Sequence, residues 1–241
     1  MISFIIAYRR DTSERQLNLE YCKAYYKTLI PECEIIVKES TDDIFNKCKL
    51  YNLGAGEAKN NIICFLDSDV FVSECSIKKS IELASKNNVV IGYNGVAIYL
   101  SYLSKQTLTK ALTYDDLLTI LPKNYKPTRL EKNKMFEVGN LRAVGGCLIM
   151  TKDCFKDING FNPNFIGWGY EDNEIIQRSH KLLKLVVMVN TKRPYLFHLP
   201  HHNIEEDKSD HNFYNNNQLE YQKICKMDSN KIKQYIKTWK V

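Results

Sequence analysis

The sequence predicts an α/β protein in which a mixed sheet is flanked by helices. Two observations support this prediction. Apolar runs of strand length alternate with amphipathic stretches of helix length over the first 95 residues, and one apolar run, residues 62–70, contains Asp67 and Asp69 at its end. Such a run between polar residues is typical of a buried strand. Because open α/β sheets bind ligands at the carboxyl ends of their strands, we expect both acids to lie in a binding crevice.

Hydrophobic periodicity predicts the remaining elements in chain order. Strands are expected at residues 2–8, 34–38, 89–93, 137–150, 185–189 and 195–197, helices at residues 14–29, 74–86 and 152–158, around residues 44–53 and from residue 171, and a loop at residues 205–217. Ser13 is the expected N-cap of the first helix, because Gln16 follows three residues later as a capping-box partner. Thr41 or Asp42 is the expected cap of the second helix.

We expect the 241 residues to form one domain, since a chain of this length can bury a sizeable core. The strand and helix alternation over residues 1–95 indicates a Rossmann-like nucleotide-binding half. Residues 96–136 are expected to form an irregular, partly helical excursion, residues 137–215 an acceptor and catalytic half, and residues 216–241 a C-terminal helix.

Composition and charge narrow the class of protein. An apolar content of 44% and a charged content of 26% fit a globular protein. The net charge of +6 favours anionic ligands such as phosphates, and the lack of an arginine-rich stripe argues against nucleic acid as a partner. The eight cysteines include no Cys-x-x-Cys pair, which favours a reducing, cytoplasmic compartment. No apolar run is long enough to span a membrane. A peripheral association with a membrane, a longer membrane-anchored parent protein and the oligomeric state all stay open.

Basic side chains crowd the turn that follows the first strand. Arg9, Arg10 and Arg15 lie at this turn, and Tyr8 ends the strand. Arginine forks suit a diphosphate, and a tyrosine ring can cover a nucleotide base. A solvated basic loop is the alternative interpretation.

Acids and histidines form a candidate metal site. Mg²⁺ and Mn²⁺ are usually held by carboxylates together with phosphate oxygens, and the spacing of Asp67 and Asp69 suits that role. His198 directly follows the last predicted strand, and its imidazole can complete the coordination sphere. His201 and His202 are further candidates. The alternatives are a solvated strand end and a zinc module, although the chain shows no second ligand pair at zinc spacing.

Glycines mark two places where a ligand can approach closely. Gly145 and Gly146 interrupt an apolar run, which indicates either the approach of another group, such as a sugar, or a bulge. Trp168 stands between two further glycines, and Glu171 and Asp172 follow at the start of a predicted helix. An exposed tryptophan beside carboxylates is suited to hold a sugar and to remove a hydroxyl proton from it. The alternative is that these acids only complement the helix macrodipole.

Three blocks, taken together, resemble the β-1,4-galactosyltransferase family and its bacterial and viral relatives among inverting glycosyltransferases of the GT-A fold. Residues 45–54 resemble the family's nucleotide-site block, Asp67-Ser68-Asp69 resembles its metal-binding Asp-Val-Asp, and residues 145–172 resemble its acceptor and catalytic block. The resemblance covers residues 2–10, 45–71 and 143–178 and one histidine.

The resemblance implies a metal-dependent inverting glycosyltransferase that moves a hexose or N-acetylhexosamine from a UDP-sugar to a hydroxyl of a saccharide or glycoconjugate. The implied cofactor is Mn²⁺ or Mg²⁺, held by Asp69 and His198, and the implied catalytic residues are Asp172 and Glu171. The implied donor-site residues are Tyr8, Arg9, Arg15, Phe45, Lys47, Asp67, Gly146 and Trp168.

The chain departs from the family pattern at three positions. Lys47 replaces an arginine, so a point charge replaces a fork at the phosphates. Tyr170 replaces a glycine beside the acids and is expected to reshape the acceptor pocket. Ala143 replaces the bulky aromatic residue of galactose-specific members, which favours a UDP-N-acetylhexosamine donor.

Three other functions compete with this prediction. Retaining N-acetylgalactosaminyltransferases of related fold share a similar Gly-Trp-Gly-Glu segment. A nucleotidyltransferase would place a glycine-rich loop after the first strand, where this chain has Tyr8 and basic residues. A non-catalytic module that binds nucleotide sugars would not need the intact acids at positions 67, 69, 171 and 172.

Overall fold

The computed structural model describes residues 1–10, 12–42, 44–101, 112–201 and 213–239. The strands are β1 (Ile2–Tyr8), β2 (Glu34–Glu39), β3 (Ile62–Asp67), β4 (Val70–Val72), β5 (Val89–Ile91), β6 (Ala97–Leu100), β7 (Glu131–Lys132), β8 (Phe136–Asn140), β9 (Cys147–Thr151), β10 (Val186–Met188) and β11 (Leu196–His198). The helices are α1 (Ser13–Leu29), α2 (Lys47–Glu57), α3 (Glu74–Ala84), α4 (Tyr114–Leu118), α5 (Lys152–Asp157), α6 (Glu171–Lys181), α7 (Tyr214–Lys226) and α8 (Ser229–Ile236).

The first sheet is mixed and has the strand order β10-β5-β9-β3-β1-β2. Strand β1 pairs in parallel with both β2 and β3, whereas β9 runs antiparallel to β3 and β5. All seven residues of β1 are buried, as its continuous apolar sequence predicts for a central strand. The predicted mixed sheet with flanking helices is confirmed.

The second sheet has the strand order β4-β11-β6-β8-β7. Strand β11 lies between β4, to which it is antiparallel, and β6, to which it is parallel. Two of these strands, β6 and β7, lie in the predicted irregular excursion, and β8 begins at its last residue, Phe136. The excursion is therefore more regular than expected within its described residues. Residues 102–111 of the excursion lie outside the described residues.

Two predicted strands are each divided between the two sheets. The predicted strand at residues 62–70 ends at Asp67, and after a turn the chain continues as β4 in the second sheet. The predicted strand at residues 137–150 is likewise two strands, β8 and β9, with the glycine pair in the connection. Both connections lie where the two sheets meet, and this places the acidic turn and the glycine pair next to each other: the Asp67 amide donates to the Gly146 carbonyl at 3.1 Å.

Two helices begin at residues other than those predicted. Thr12, not Ser13, caps α1, because Thr12 has extended backbone angles and its hydroxyl accepts from the Arg15 amide at 3.2 Å. Asn46, not Thr41 or Asp42, caps α2, and its side-chain oxygen accepts from the Lys49 amide at 2.8 Å. Lys47 therefore occupies the first helical position.

The C-terminal segment forms two helices, α7 and α8, instead of the single helix predicted. Asp228 caps α8 and separates it from α7, because its side chain accepts from the Lys231 amide at 2.8 Å. The loop predicted at residues 205–217 lies outside the described residues up to residue 212, and α7 begins two residues later. Among the described helices, none combines the length and the apolarity needed to cross a bilayer. The division into halves stays a prediction.

Candidate active site

A cleft of about 830 Å³ opens at the carboxyl ends of β1 and β3, between the two sheets. This is the edge at which the sequence predicts a ligand site. The predicted site residues that line the cleft are Arg9, Arg15, Phe45, Lys47, Asp67, Asp69, Gly146, Trp168, Glu171, Asp172 and His198.

Tyr8 is the exception among the predicted donor-site residues. Its strand, β1, lies between β2 and β3, so the ring is only 2% exposed and does not line the cleft. The predicted stacking of a nucleotide base on Tyr8 is therefore not supported by this geometry. Phe45, by contrast, lines the cleft just before α2.

A carboxylate and two imidazoles form a candidate metal site. The Asp69 Oδ1 atom lies 3.4 Å from His198 Nε2, and Asp69 Oδ2 lies 3.1 Å from His201 Nε2. The three ligand atoms all lie within 4.8 Å of one another. The sequence favours His198, which directly follows the last predicted strand, and offers His201 as a further candidate. The structure brings both to Asp69. His202 lies outside the described residues.

The donor atoms of this cluster fit a divalent cation. His198 Nδ1 lies 2.9 Å from the Leu199 carbonyl oxygen, so a proton on Nδ1 leaves the Nε2 lone pair facing Asp69. Burial opposes ionisation of Asp69, but His198 and His201 outweigh it and hold the pKa of this carboxyl well below its usual range. Two imidazoles favour a transition metal such as Mn²⁺ over Mg²⁺, which prefers oxygen ligands.

Asp67 turns away from this cluster and belongs to a second one. Lys47 Nζ lies 2.9 Å from Asp67 Oδ1, 3.5 Å from Glu171 Oε1 and 3.2 Å from Asp172 Oδ2. The Tyr51 hydroxyl also donates to Asp67, at 2.9 Å. Burial disfavours the charged lysine, but the carboxylates outweigh it and raise the pKa of Lys47 well above its usual value.

Asp172 is unusually basic for a carboxyl, first because it is buried and then because one ammonium group cannot neutralise three carboxylates. Burial raises the pKa of Asp172 to about 7, with the charges of Glu171 and Asp67 adding to the shift and Lys47 opposing it. Glu171 is 8% exposed, and its carboxylate also accepts from the Gly169 amide at 3.1 Å. This hydrogen bond stabilises the loop that contains Trp168. A carboxyl with a pKa near neutrality is suited to take up a proton.

Gly145 permits the observed position of Asp172. A Cβ atom at Gly145 would lie 2.1 Å from Asp172 Oδ2 and 2.8 Å from its Cγ atom, so any side chain there must displace the carboxylate. The close approach that the sequence predicts for this glycine is thus made by a side chain of the protein itself.

We expect Gly145→Ala to lower turnover by roughly 10²-fold, because a displacement of about 1 Å in an active site costs that much. UDP affinity in the presence of Mn²⁺ should stay close to wild type, since Gly145 is not part of the Asp69 cluster. Steady-state kinetics and titration calorimetry measure the two quantities. Gly56→Ala is the matched control, because a Cβ there would meet no atom within 4 Å. Equal turnover in both variants would contradict the assignment.

Trp168 presents its indole at the mouth of the cleft. The ring is 48% exposed and stacks on Tyr214 of α7 at 5.6 Å. The Asn217 side chain donates to the carbonyls of Ile166 and Trp168, at 2.9 and 3.2 Å, and so fixes this loop from the C-terminal part of the chain. The sequence predicts a loop at Asn217 and gives no signal for this contact, whereas the structure places Asn217 in α7.

Tyr170 replaces a glycine of the family pattern. Its side chain lines the cleft and also packs against α7. Its ring stacks on Tyr221 at 5.3 Å, and its hydroxyl accepts from the Tyr214 hydroxyl at 3.2 Å and from the Gln218 amide at 3.0 Å. The substitution therefore joins the start of α6 to α7.

Comparisons with solved structures identify the fold. The chain superposes on the catalytic domain of Drosophila β-1,4-galactosyltransferase 7 in complex with xylobiose, with a TM-score of 0.53 and 17% identity, over 86% of this chain and 73% of that one. A mutant of the same enzyme in complex with manganese, UDP-Gal and xylobiose gives a TM-score of 0.52 at 16% identity, over 87% and 75% of the two chains. The fold is therefore that of the GT-A glycosyltransferases, as predicted.

Sequence comparison finds relatives among the galactosyltransferases. The family described as the N-terminal domain of galactosyltransferase matches residues 129–202. Human β-1,4-galactosyltransferase 1 is 24% identical over 184 residues, and the mouse protein is 22% identical over 185. These matches cover 73% of this chain but only 36% of either relative. The chain is thus galactosyltransferase-like in sequence and GT-A in fold.

Proposed function

We propose that the protein is a metal-dependent inverting glycosyltransferase that transfers a hexose or N-acetylhexosamine from a UDP-sugar to a saccharide hydroxyl. One observation supports this proposal above the others: a single cleft contains both the Asp69, His198 and His201 cluster and the half-buried, basic Asp172. The complexes of the Drosophila enzyme with manganese, UDP-Gal and xylobiose are consistent with a UDP-sugar donor and a saccharide acceptor.

The cation would be held by Asp69, His198 and His201. When bound, it would offset the negative charge that develops on the departing diphosphate. Arg9 and Arg15, which line the same cleft, are placed to hold phosphate oxygens.

Asp172 is the proposed general base. It takes the proton from the acceptor hydroxyl while that oxygen forms a bond to the anomeric carbon of the donor, and the bond from that carbon to the diphosphate oxygen breaks. Attack opposite to the leaving diphosphate inverts the anomeric configuration. Lys47 holds Asp172 in place, and Glu171 acts as a positioning residue through the Gly169 amide.

We expect kcat/KM to fall about tenfold per pH unit below about pH 7, because protonated Asp172 cannot accept the hydroxyl proton. Glu171→Gln should move the midpoint to lower pH, since the Glu171 charge raises the pKa of Asp172. Rate profiles from pH 5 to 9 test both statements. A midpoint that Glu171→Gln leaves unchanged would assign the titration to another group, such as a histidine of the metal cluster.

A second part of the proposal concerns which donor sugar the enzyme accepts. Ala143 lines the cleft, and its short side chain leaves room beside the donor where a bulky aromatic residue would not. We therefore propose that UDP-N-acetylhexosamines are accepted. A donor panel tests this: UDP-galactose or UDP-glucose outperforming both UDP-N-acetylhexosamines by tenfold or more would contradict it. Product NMR gives the anomeric configuration, and retention would exclude the inverting mechanism.

A further inference from the structure

A row of four side chains crosses the second sheet in register, from His198 of the candidate metal site to the sheet edge. His198 on β11 pairs with Tyr99 on β6, Tyr99 pairs with Glu137 on β8, and Glu137 pairs with Lys132 on β7. Directly opposed residues on neighbouring strands share one face of a sheet, and all four residues line the cleft. At about 4.8 Å per strand, Lys132 lies roughly 14 Å from His198 along the sheet.

Tyr99 provides an open aromatic surface in this row. It is 40% exposed, whereas its neighbours Ile98 and Leu100 are buried on the other face of β6. Its ring packs on the bare backbone of Gly139, where a Cβ atom would lie only 2.8 Å from Cε2 of the ring. An aromatic ring that rests on glycine and is open towards a cleft is a surface on which the apolar face of a sugar can pack.

The far end of the row is polar and exposed. Lys132 Nζ lies 2.9 Å from Glu137 Oε2, and the two side chains are 74% and 39% exposed. Such an ion pair contributes little to stability, but it offers hydrogen-bond donors and an acceptor at the cleft wall. Because the two charges cancel, the pair suits a neutral, hydroxyl-rich ligand better than a phosphate.

We propose that Tyr99, Glu137 and Lys132 form a second saccharide subsite, which binds an acceptor sugar beyond the one that receives the transferred group. This inference rests on the proposed function and specifies its acceptor as an oligosaccharide. The row begins at His198 of the candidate metal site, which would hold the cation that binds the donor diphosphate, and continues across three more strands to an exposed edge. A single donor sugar attached to that diphosphate is too short to span it, so the row fits the acceptor.

The test compares binding of mono-, di- and trisaccharides of xylose and of N-acetylglucosamine by the full chain, in the presence of UDP and Mn²⁺. We expect Tyr99→Ala to weaken binding of the di- and trisaccharides about tenfold, the loss typical of an aromatic anchor, and to leave little preference for them over the monosaccharide. Tyr99→Phe, which keeps the ring, should bind like wild type. Met135→Ala is the control, because Met135 is 49% exposed just before β8 and lies outside the row.

Several outcomes would overturn the subsite. One is equal oligosaccharide binding by wild type and Tyr99→Ala. Another is a raised KM for the UDP-sugar of Tyr99→Ala in hydrolysis without acceptor, which would assign the ring, whose centroid lies 5.0 Å from that of His198, to the donor and metal side of the cleft. A third is wild-type protein that binds none of the saccharides; UDP-sugar hydrolysis by the same preparation would then show that the proposed function itself stands. If Tyr99→Ala does not fold, Glu137→Gln is the variant to test. We expect it to weaken binding of the di- and trisaccharides by less than about tenfold.

Discussion

Asp172→Asn should lower the turnover number by about 10² to 10⁴, the usual contribution of general-base catalysis. Asparagine keeps the shape of the side chain and its contact with Gly145, but it cannot take up the acceptor proton. Because Asp172 is not part of the Asp69 cluster, UDP and Mn²⁺ should still bind. Stopped assays at saturating acceptor measure turnover, and calorimetry measures UDP binding.

Asp153→Asn is the matched control for this variant. Asp153 also lies in the first turn of a helix, α5, but it is exposed and does not line the cleft. Its substitution should leave turnover at the wild-type level. If Asp172→Asn keeps more than about a tenth of wild-type turnover, general-base catalysis must come from another residue.

Glu174→Gln should lower the free energy of unfolding by about 3–5 kcal/mol, because it leaves a buried arginine without its counter-charge. Arg178 is 0% exposed and Glu174 is 1% exposed. The guanidinium donates to the carboxylate at 2.6 and 3.0 Å and also to the carbonyls of Ile158 and Gly160. This pair fixes α6, the helix that presents Asp172, and a chain of this length should lose roughly 6–20 °C in Tm.

Glu74→Gln is the control for the buried pair. Glu74 and Lys78 form an ion pair of the same i,i+4 spacing at 2.6 Å, but the side chains are 52% and 67% exposed. Its loss should cost less than about 1 kcal/mol. Similar losses in the two variants, measured by urea unfolding, would show that the Glu174 pair does not hold α6 in place.

The sequence predicts the first sheet well because its central strands are continuous apolar runs. The sequence does not predict where an apolar run passes from the first sheet to the second, because its hydrophobic periodicity is the same in the two sheets. Weak sequence signals mark the two positions: the polar pair Ser68-Asp69 interrupts one apolar run, and Gly145-Gly146 interrupts the other. The residues at both interruptions line the cleft.

Side-chain contacts within the site were harder to predict. Two imidazoles reach Asp69 because the chain stays beside Asp69 after β11 ends: the Leu199 amide donates to the Asp69 carbonyl at 2.8 Å. Nothing in the local sequence reports this contact, so the sequence favours His198 alone. Tyr99 has a local signal in its alternation with buried neighbours, whereas Asn217 acts through contacts about fifty residues away and has none.

The most direct test of the metal site is thermal unfolding with UDP in the presence and absence of Mn²⁺. A ligand that binds only the folded state raises its stability, so UDP should raise the Tm of the wild-type protein when Mn²⁺ is present and much less without it. Asp69→Asn and His201→Ala should lose this metal-dependent shift. A UDP shift that does not depend on Mn²⁺, or one that survives in Asp69→Asn, would contradict the account.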